Sequence, residues 1–328
     1  MTLSSMARSA ASSRALITDR RIMLAAVLIA MLVTFSFISP ALVRPSLLLD
    51  ITKFGVVVGL LTLGQTLIIL SGRGGIDLSV GSTLSLAGIM MGLAVQAGVP
   101  VWPAAGLAIL TGVLLGAVNG ALIAFVGIPA LIGTVGTLFL YGSLALVISG
   151  GTAISGFGAA GFPFLGQGTV LGMPAQLLLV LLPAYAVIGW LVARTRFGRT
   201  IYEVGNGDTA ARLVGRSPNL LRFWLFCLSG GLAGLGAVVT NAWLQTARPA
   251  AGAGLELQAV TIAVLGGTHI FGGRGRLSGT FLALFVVILL NAGLQFNGID
   301  QVWQSGVLGA LLVGSVVLNN LLSGEGDE

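Results

Sequence analysis

Three residue types that carry much of protein chemistry are almost missing from this sequence: among 328 residues there is one cysteine, one histidine and one lysine. Cys227 and His269 alone supply neither a disulfide framework nor the several ligands of a zinc site, and a histidine-based catalytic triad would depend wholly on His269. Lys53 lies in the segment DITKFG and not behind a glycine-rich turn, where a P-loop lysine reaches phosphates. The sequence therefore predicts no catalytic residue, no metal site and no ATP-hydrolysing motif.

Charged residues are scarce as well. They make up 8% of the chain, whereas 56% of the residues are hydrophobic and the mean hydropathy is +1.03. Such a composition cannot form an ordinary water-facing surface, so we expect a protein of the lipid bilayer. The isoelectric point near 10.7 does not indicate a nucleic-acid partner, because the basic residues lie between apolar runs.

The apolar runs predict an all-α, polytopic helical bundle of about ten transmembrane helices, each roughly 17 to 25 residues long. The predicted spans are Ile22–Ser39, Ile51–Leu70, Val80–Ala97, Val101–Val126, Ala130–Ser149, Ala175–Ala193, Phe223–Ala242, Leu257–Phe271, Leu277–Gln295 and Trp303–Leu322. The eighth is the weakest, because it is short and contains Gly266, Gly267, Thr268 and His269, so we expect it to be broken or tilted.

The order of these spans divides the chain into an N-terminal tail (1–21), a single transmembrane domain (22–322) and a C-terminal tail (323–328). With both termini in the cytoplasm, 13 of the 16 basic residues fall on the cytoplasmic side. This asymmetry is what the positive-inside rule requires, and it supports a multi-pass protein with this orientation; the resemblance described below implies that the membrane is a bacterial inner membrane. The uncharged, glycine-rich outer segment Gly150–Pro174 is predicted to be a connector, with a protein-binding surface as the alternative.

Few polar groups lie within the spans or at their edges, and five of them are the candidates for a solute path. They are Gln65, Asp77, Asn119, Asn291 and Gln295. For each amide, including Asn241, a hydrogen bond between helices worth about 0.6 kcal/mol is the plainer interpretation. Asp77 is interpreted first as a cap of the following helix, and His269 as a buried, neutral histidine. The row Ala108, Gly112, Gly116, Gly120 and Ala124 indicates close helix packing.

The longest polar stretch, Arg194–Arg222, holds six arginines and two carboxylates and is predicted to be a cytoplasmic loop. Within it, Gly205–Gly207 predicts a turn, Asp208 an N-cap, and Thr209–Val214 a short helix that Gly215 and Pro218 end. Ala210, Leu213 and Val214 share one face. A solvated loop explains the arginines, whereas a capped helix with an apolar face suits docking into a groove of another protein.

Three segments resemble the permease subunits of ATP-binding-cassette importers for sugars of the ribose, xylose and galactose type. They are GGIDLSVGS (74–82), RTRFGRTIYEVGNGDTAARLVG (194–215) and AVLGGTHIFGGRGRLSGT (263–280). The segment GSTLSLAGIMMGLAVQAGVP is also similar to the branch of this family that imports the furanosyl signal autoinducer-2.

The resemblance implies a ten-helix permease that pairs with a second copy or a sister permease, binds two cytoplasmic ATPase subunits and accepts solute from a periplasmic binding protein. It assigns coupling to the ATPase to Asp208–Leu213. With Val214 added, the predicted coupling residues are Asp208, Thr209, Ala210, Ala211, Arg212, Leu213 and Val214. ATP and Mg²⁺ would bind to the partner ATPase, and this chain would carry no cofactor and catalyse no reaction.

The leading hypothesis is therefore a permease that moves a monosaccharide or a similar polyol-like solute and is powered by a separate ATPase. The alternative is an ion-coupled secondary carrier. Such carriers need ionisable groups at membrane depth, and Lys53, Asp77 and Glu256 all lie at span edges. A faint internal echo between LSGRGGIDLSVG (70–81) and LGGTHIFGGRG (265–275) supports no conclusion about the fold.

Overall fold

A computed structural model of the chain describes residues 20–159 and 161–324, with side chains up to residue 317. Of the predicted N-terminal tail, the structure describes only residues 20 and 21, and of the predicted C-terminal tail only residues 323 and 324. The remaining tail residues lie outside the described residues. The predicted all-α bundle is confirmed. Between residues 20 and 324 the helices are α1 (Arg20–Ile38), α2 (Pro45–Leu70), α3 (Val80–Gln96), α4 (Val101–Ala121), α5 (Ala130–Ile148), α6 (Phe162–Gln167), α7 (Leu182–Arg194), α8 (Arg196–Asn206), α9 (Asp208–Leu213), α10 (Pro218–Leu244), α11 (Leu255–Leu265), α12 (Leu277–Phe296) and α13 (Gln301–Gly324).

Every predicted span falls on a helix, and seven of the described helices are long and apolar enough to cross a membrane. Three spans correspond to shorter apolar helices: α3, α11 and the described part of α13, Gln301–Val317. Two of the long helices include a wider π-helical turn, Leu122–Val126 after α4 and Leu177–Leu181 before α7.

The weakest predicted span is broken, as expected. Its helix, α11, ends at Leu265, so the predicted end at Phe271 is wrong. Gly267 takes a left-handed backbone, with φ of 93°, and the chain stays irregular until α12 begins at Leu277. Glycine adopts this conformation without a steric penalty, which ends the helix in spite of its apolar surroundings.

Two helix starts differ from the prediction for one reason. α2 begins at Pro45 instead of Ile51, and α10 begins at Pro218 instead of Phe223. Proline suits the first turn of a helix because its fixed φ is helical and its missing N–H would be unpaired there in any case. As a consequence, Arg222 belongs to a helix and not to the predicted loop.

α2 and α10 form the centre of the bundle. Every residue of α2 from Gly55 to Leu70 is buried, whereas only Leu24 is buried in α1 at the periphery. α10 packs along α4 with backbone against backbone: a Cβ on Gly112 would lie 2.1 Å from the carbonyl oxygen of Gly230. The interpretation of the small-residue row as a packing surface is therefore confirmed.

Alternate connections between helices lie at opposite ends of the bundle. We call the end formed by residues 70–79, 194–222 and 266–276 the arginine-rich end. At the opposite end, residues 150–159 and 161–174 connect α5 to the helical segment that starts at Leu177, and they contain short strands and the short helix α6. Strand β1 (Ile154–Ser155) pairs antiparallel with β4 (Thr246–Ala247), and β2 (Thr169–Val170) pairs antiparallel with β3 (Met173–Pro174). Within this segment, Phe157 and Phe162 are almost completely buried.

Candidate functional site

The short helix predicted inside the polar stretch exists, as α9, but its start differs from the prediction. Gly207 occupies the N-cap position, and Asp208 is the first helical residue with no capping hydrogen bond from its side chain. Gly215, with φ of 75°, ends the helix, and its N–H donates to the carbonyl of Arg212 at 3.0 Å. The prediction of Asp208 as an N-cap is therefore wrong, because its carboxylate is used elsewhere.

The carboxylate of Asp208 is held by a buried arginine from the first turns of α10. Arg222 Nη1 donates to Asp208 Oδ2 at 2.9 Å, and Arg222 Nη2 donates to Asp208 Oδ1 at 2.6 Å. Nη2 also donates to the carbonyl oxygen of Ser71, 2.9 Å away at the end of α2. These two-point hydrogen bonds hold the pKa of Asp208 below its ordinary value.

We call Asp208, Arg222 and the Ser71 carbonyl the arginine latch. The side chain of Arg222 is 6% exposed and that of Asp208 is 20% exposed, so the pair is largely shielded from water. Arg73 approaches the same carboxylate, with Nη1 3.5 Å from Oδ2, but its side chain is 67% exposed. The latch joins the start of α9 to α10 and to the end of α2.

Tight backbone packing reinforces the latch. A Cβ on Gly205, near the end of α8, would lie 2.1 Å from the Leu70 carbonyl oxygen and 2.5 Å from the Gly273 nitrogen. Gly273 N–H in turn donates to the Leu70 carbonyl at 3.0 Å. The two glycine-rich segments that echo each other in sequence therefore meet at the arginine-rich end, beneath α8 and α9.

The outer face of α9 is exposed and partly apolar. Leu213 is 84% exposed and Val214 66% exposed, and Thr209, Ala210 and Arg212 are exposed beside them, whereas Ala211 is buried. An open pocket of about 460 Å³ adjoins this face and is lined by Arg73, Val204, Gly205, Gly207, Asp208, Thr209, Arg212 and Phe271. Phe271 is 67% exposed. Of the seven predicted coupling residues, Asp208 and Ala211 therefore anchor the helix, and the other five face outward.

Three of the five candidate path residues belong to one buried hydrogen-bond network. Asp77 Oδ1 accepts from the N–H and the hydroxyl of Ser79, at 2.9 and 2.7 Å. Asn119 donates to the Ser79 hydroxyl at 2.7 Å, and Gln65 Oε1 accepts from the Asp77 N–H at 3.2 Å. Asp77 thus fixes the residue in front of α3 and forms no cap bond within its first turn. All four residues are at most 2% exposed, so the network is closed to solute in this conformation.

The other two path candidates line a cleft at the opposite end of the bundle. Asn291 and Gln295 on α12 face a space of about 1010 Å³ that also borders α2, α11 and α13. Asn291 Oδ1 is buried and has no hydrogen-bond partner. The structure therefore separates the predicted path residues into a closed network near the arginine-rich end and an open cleft near the other.

Two remaining polar residues have structural surroundings. Asn241 donates to the Gly88 carbonyl at 3.1 Å, which links α10 to α3, as the plainer interpretation predicts. His269 is half-buried and not buried as predicted, and its ring packs against Phe271 with centroids 5.6 Å apart. Neither residue lines the cleft.

Sequence reasoning missed α8, Arg222 and three glutamines of the cleft. α8 carries Phe197, Ile201 and Val204 at helical spacing behind a Thr195 cap, a signal that was available. Arg222 lies four residues after Pro218 and directly before an apolar run, so a helix that starts at the proline includes it, a signal that was also available. Gln258, Gln301 and Gln304 gave no signal, because nothing in a linear sequence indicates that they meet Asn291.

Comparisons with known proteins agree with this architecture. A family described as "Branched-chain amino acid transport system / permease component" matches residues 47–316. The autoinducer 2 import system permease protein LsrD of Klebsiella pneumoniae subsp. pneumoniae is 40% identical over 306 residues, which cover 92% of this chain and 91% of that protein. The protein of the same name from Enterobacter sp. (strain 638) is 40% identical over 298 residues, 88% of this chain and 89% of that protein. The one from Photorhabdus laumondii is 36% identical over 300 residues, 90% and 89% of the two chains. No solved structure matches the chain.

Proposed function

The chain belongs to the family described as the permease component of the branched-chain amino acid transport system, and we propose that it is the membrane subunit that imports autoinducer-2 or a similar small solute with energy from a separate ATPase. It is a multi-pass protein of the inner membrane, and it is a transport subunit by family. The expected resemblance to permeases of sugar importers, including the autoinducer-2 branch, is confirmed by these relatives.

The observation that carries the proposal is α9, a short helix with an exposed apolar edge and a rigidly held base. Leu213 and Val214 are too exposed to stabilise this chain by burial, and a partner groove would remove them from water. Arg212 and Arg73 both line the adjoining pocket, so an apolar groove with an acidic rim fits this surface. ATP and Mg²⁺ bind to that partner and not to this chain.

The arginine latch gives α9 a mechanical connection to the membrane part. A force on α9 passes through Asp208 and Arg222 to α10, and through the Ser71 carbonyl to the segment before α3 that contains Asp77. Movement of that segment rearranges the closed network of Gln65, Asp77 and Asn119. Two permease copies, or this chain and a sister permease, then alternate between openings to the two sides of the membrane as ATP is bound and hydrolysed.

The test is the double variant Arg212→Glu with Leu213→Asp in the importer reconstituted with its ATPase and solute-binding protein. We expect this variant to reach the membrane but to lose copurification with the ATPase and ATP-dependent uptake of autoinducer-2. The control is Arg248→Glu with Leu171→Asp, a matched change in charge and apolar surface at exposed positions of the opposite end. The control retains copurification.

Normal uptake and normal copurification in the first double variant would contradict the role of α9. A different result would replace the proposal altogether: uptake by this chain alone in liposomes, driven by a proton or sodium gradient without ATP. That outcome identifies an ion-coupled carrier.

A further inference from the structure

The cleft at the opposite end of the bundle has the lining of a ligand site. It lies between the first half of α2, the first half of α11, the last turns of α12 and the first half of α13. Its volume of about 1010 Å³ is at the upper limit of small-molecule pockets. Since four helices border it, a change in their relative positions opens or closes it.

The polar part of the lining consists mainly of side-chain amides. Five of them line the cleft: Gln258, Asn291, Gln295, Gln301 and Gln304. Each amide offers a carbonyl acceptor and an NH₂ donor, which is the combination that hydroxyl groups need because a hydroxyl both donates and accepts. The amides come from three different helices, so they surround the space instead of forming a stripe along one helix.

One group in this lining lacks a partner that a ligand can supply. Asn291 Oδ1 is buried and accepts no hydrogen bond. Such a group is unfavourable in a finished protein interior, and a hydroxyl donor from a bound solute would satisfy it. Gln65 Nε2 is also buried without a partner, but Gln65 is fully buried in the closed network and does not line the cleft.

The charge of the lining restricts the class of ligand. Of the described residues that border the cleft, Asp300 alone is charged, and its Oδ1 accepts from the N–H groups of Val302 and Trp303 at 3.1 and 3.3 Å. Asp300 thus serves the start of α13. With no basic side chain in the lining, a phosphate or carboxylate would be desolvated without a counter-charge. An amino acid would bring two charges into the same space.

The apolar part of the lining suits a ring with one apolar face. Phe54 and Phe296 border the cleft, and Phe54 is held edge-on to Trp243, with ring centroids 4.6 Å apart. Aromatic rings pack against the C–H face of a hydroxylated ring while amides bond its hydroxyls.

We propose that this cleft is the solute-binding site of the permease, and that it takes a neutral, hydroxyl-rich small molecule through Asn291 and Gln258. This inference rests on the proposed function, since it names the solute class that the importer moves. It assigns amino acids and phosphorylated compounds to the molecules that the site rejects.

Uptake by the reconstituted importer provides the first test. Asn291→Leu and Gln258→Leu remove the amides at nearly constant volume, and each is expected to lower ATP-dependent uptake of autoinducer-2 about tenfold. The matched control is Gln96→Leu, an exposed amide at the end of α3 outside the cleft, which leaves uptake unchanged. Copurification with the ATPase is retained in all three variants, because the arginine-rich end is untouched.

Chemical modification provides a second test that does not depend on transport. The chain has a single cysteine, Cys227, so a Cys227→Ala background allows one new cysteine at Ser305→Cys, which lines the cleft and leaves Asn291 and Gln258 in place. Autoinducer-2 is expected to slow the reaction of that cysteine with a methanethiosulfonate reagent severalfold, and leucine is expected to have no effect. A cysteine introduced by Gln96→Cys reacts at the same rate with either compound.

The outcomes separate this inference from the proposed function. Normal autoinducer-2 uptake in both leucine variants, or reduced uptake without protection of the new cysteine, overturns the cleft as the solute site and leaves the importer intact. Uptake of leucine by the wild-type importer, with protection by leucine, overturns the ligand class. Absence of ATP-driven uptake in the wild type contradicts the proposed function, and the protection assay then decides on the cleft alone.

Discussion

The arginine-rich end and the amide-lined cleft hold their polar groups in opposite ways within one bundle. At the arginine-rich end, a buried ion pair and close backbone contacts join three segments, with Arg222 bonded to both Asp208 and the Ser71 carbonyl. At the cleft, the polar groups are neutral, and Asn291 Oδ1 is buried without a partner. In the proposed mechanism the first end transmits force through these bonds, and the second is suited to binding because a buried acceptor has no partner.

The two ends show two different uses of the few polar groups in a mostly apolar chain. Hydrogen bonds between charged groups are strong and directional when they are shielded from water, so such a pair suits a rigid connection between helices. Side-chain amides bind and release a neutral solute more easily than charged groups do, because a neutral group costs less free energy to desolvate than a charged one.

The largest effect is expected from Arg222→Ala. Removing one partner of a shielded pair leaves Asp208 and the Ser71 carbonyl without their donor, so the free energy of unfolding should fall by about 3 kcal/mol. SDS titration of the purified protein in detergent measures this change. The control is Arg216→Ala, whose partner Glu203 is 38% exposed and whose loss should cost about 0.5 kcal/mol or less. Equal effects of the two substitutions would show that the latch is an ordinary surface contact.

The closed network beside the latch is expected to depend on shape and hydrogen bonding more than on charge. Asp77→Leu removes the acceptor for the Ser79 N–H and hydroxyl, which should lower the free energy of unfolding by about 2 kcal/mol. Asp77→Asn keeps an oxygen at the same place and should retain most of the stability. If the asparagine variant is as unstable as the leucine variant, the charge itself holds the turn.

At the cleft, the sign of the stability change should reverse. Asn291→Leu replaces a buried acceptor that has no partner by an apolar group of similar size, so the free energy of unfolding should rise by about 1 kcal/mol while uptake falls. The same SDS titration, with Gln96→Leu as the control, measures the stability. A decrease in stability would mean that Asn291 has a structural role in the folded protein.

The smallest effect is expected from acid. Hydrogen bonds from Arg222 lower the pKa of Asp208 in the folded protein, so the stabilisation is fully present above the unfolded value of about 3.9 and is lost as pH falls through the lower folded value. Asp208→Asn should remove this part of the pH dependence. Unfolding midpoints of the two proteins between neutral pH and pH 3 test it. Parallel curves would mean that Asp208 titrates normally.

Much of the architecture could be read from residue patterns. Apolar runs predicted a helix at all ten places, and the glycines at 266 and 267 correctly marked the span that breaks. The row of small residues on α4 predicted a packing surface, which Gly112 and Gly230 form. Errors arose where a local signal had two uses, as with Pro218, which was taken to end one helix and in fact begins the next.

Only part of the candidate sites could be predicted from residue patterns. The exposed edge of α9 follows from helical spacing and a terminating glycine, and both are local. Asp208 was expected to cap its own helix, but Arg222, fourteen residues later, takes its carboxylate. The five path candidates looked equivalent in sequence, and only their surroundings divide them between a closed network and a cleft.

Residue composition and local patterns are enough to place this chain in a membrane, to show which loops carry the arginines, and to indicate a resemblance to permeases that a separate ATPase powers. These properties depend on composition and short-range periodicity, which a linear chain displays directly. Tertiary structure alone decided that Arg222 joins α9 to the end of α2, and that Asn291 shares a cleft with glutamines of α11 and α13. Both arrangements bring together side chains that are distant along the chain, and burial then decides whether a polar group there acts as a joint or as a binding group.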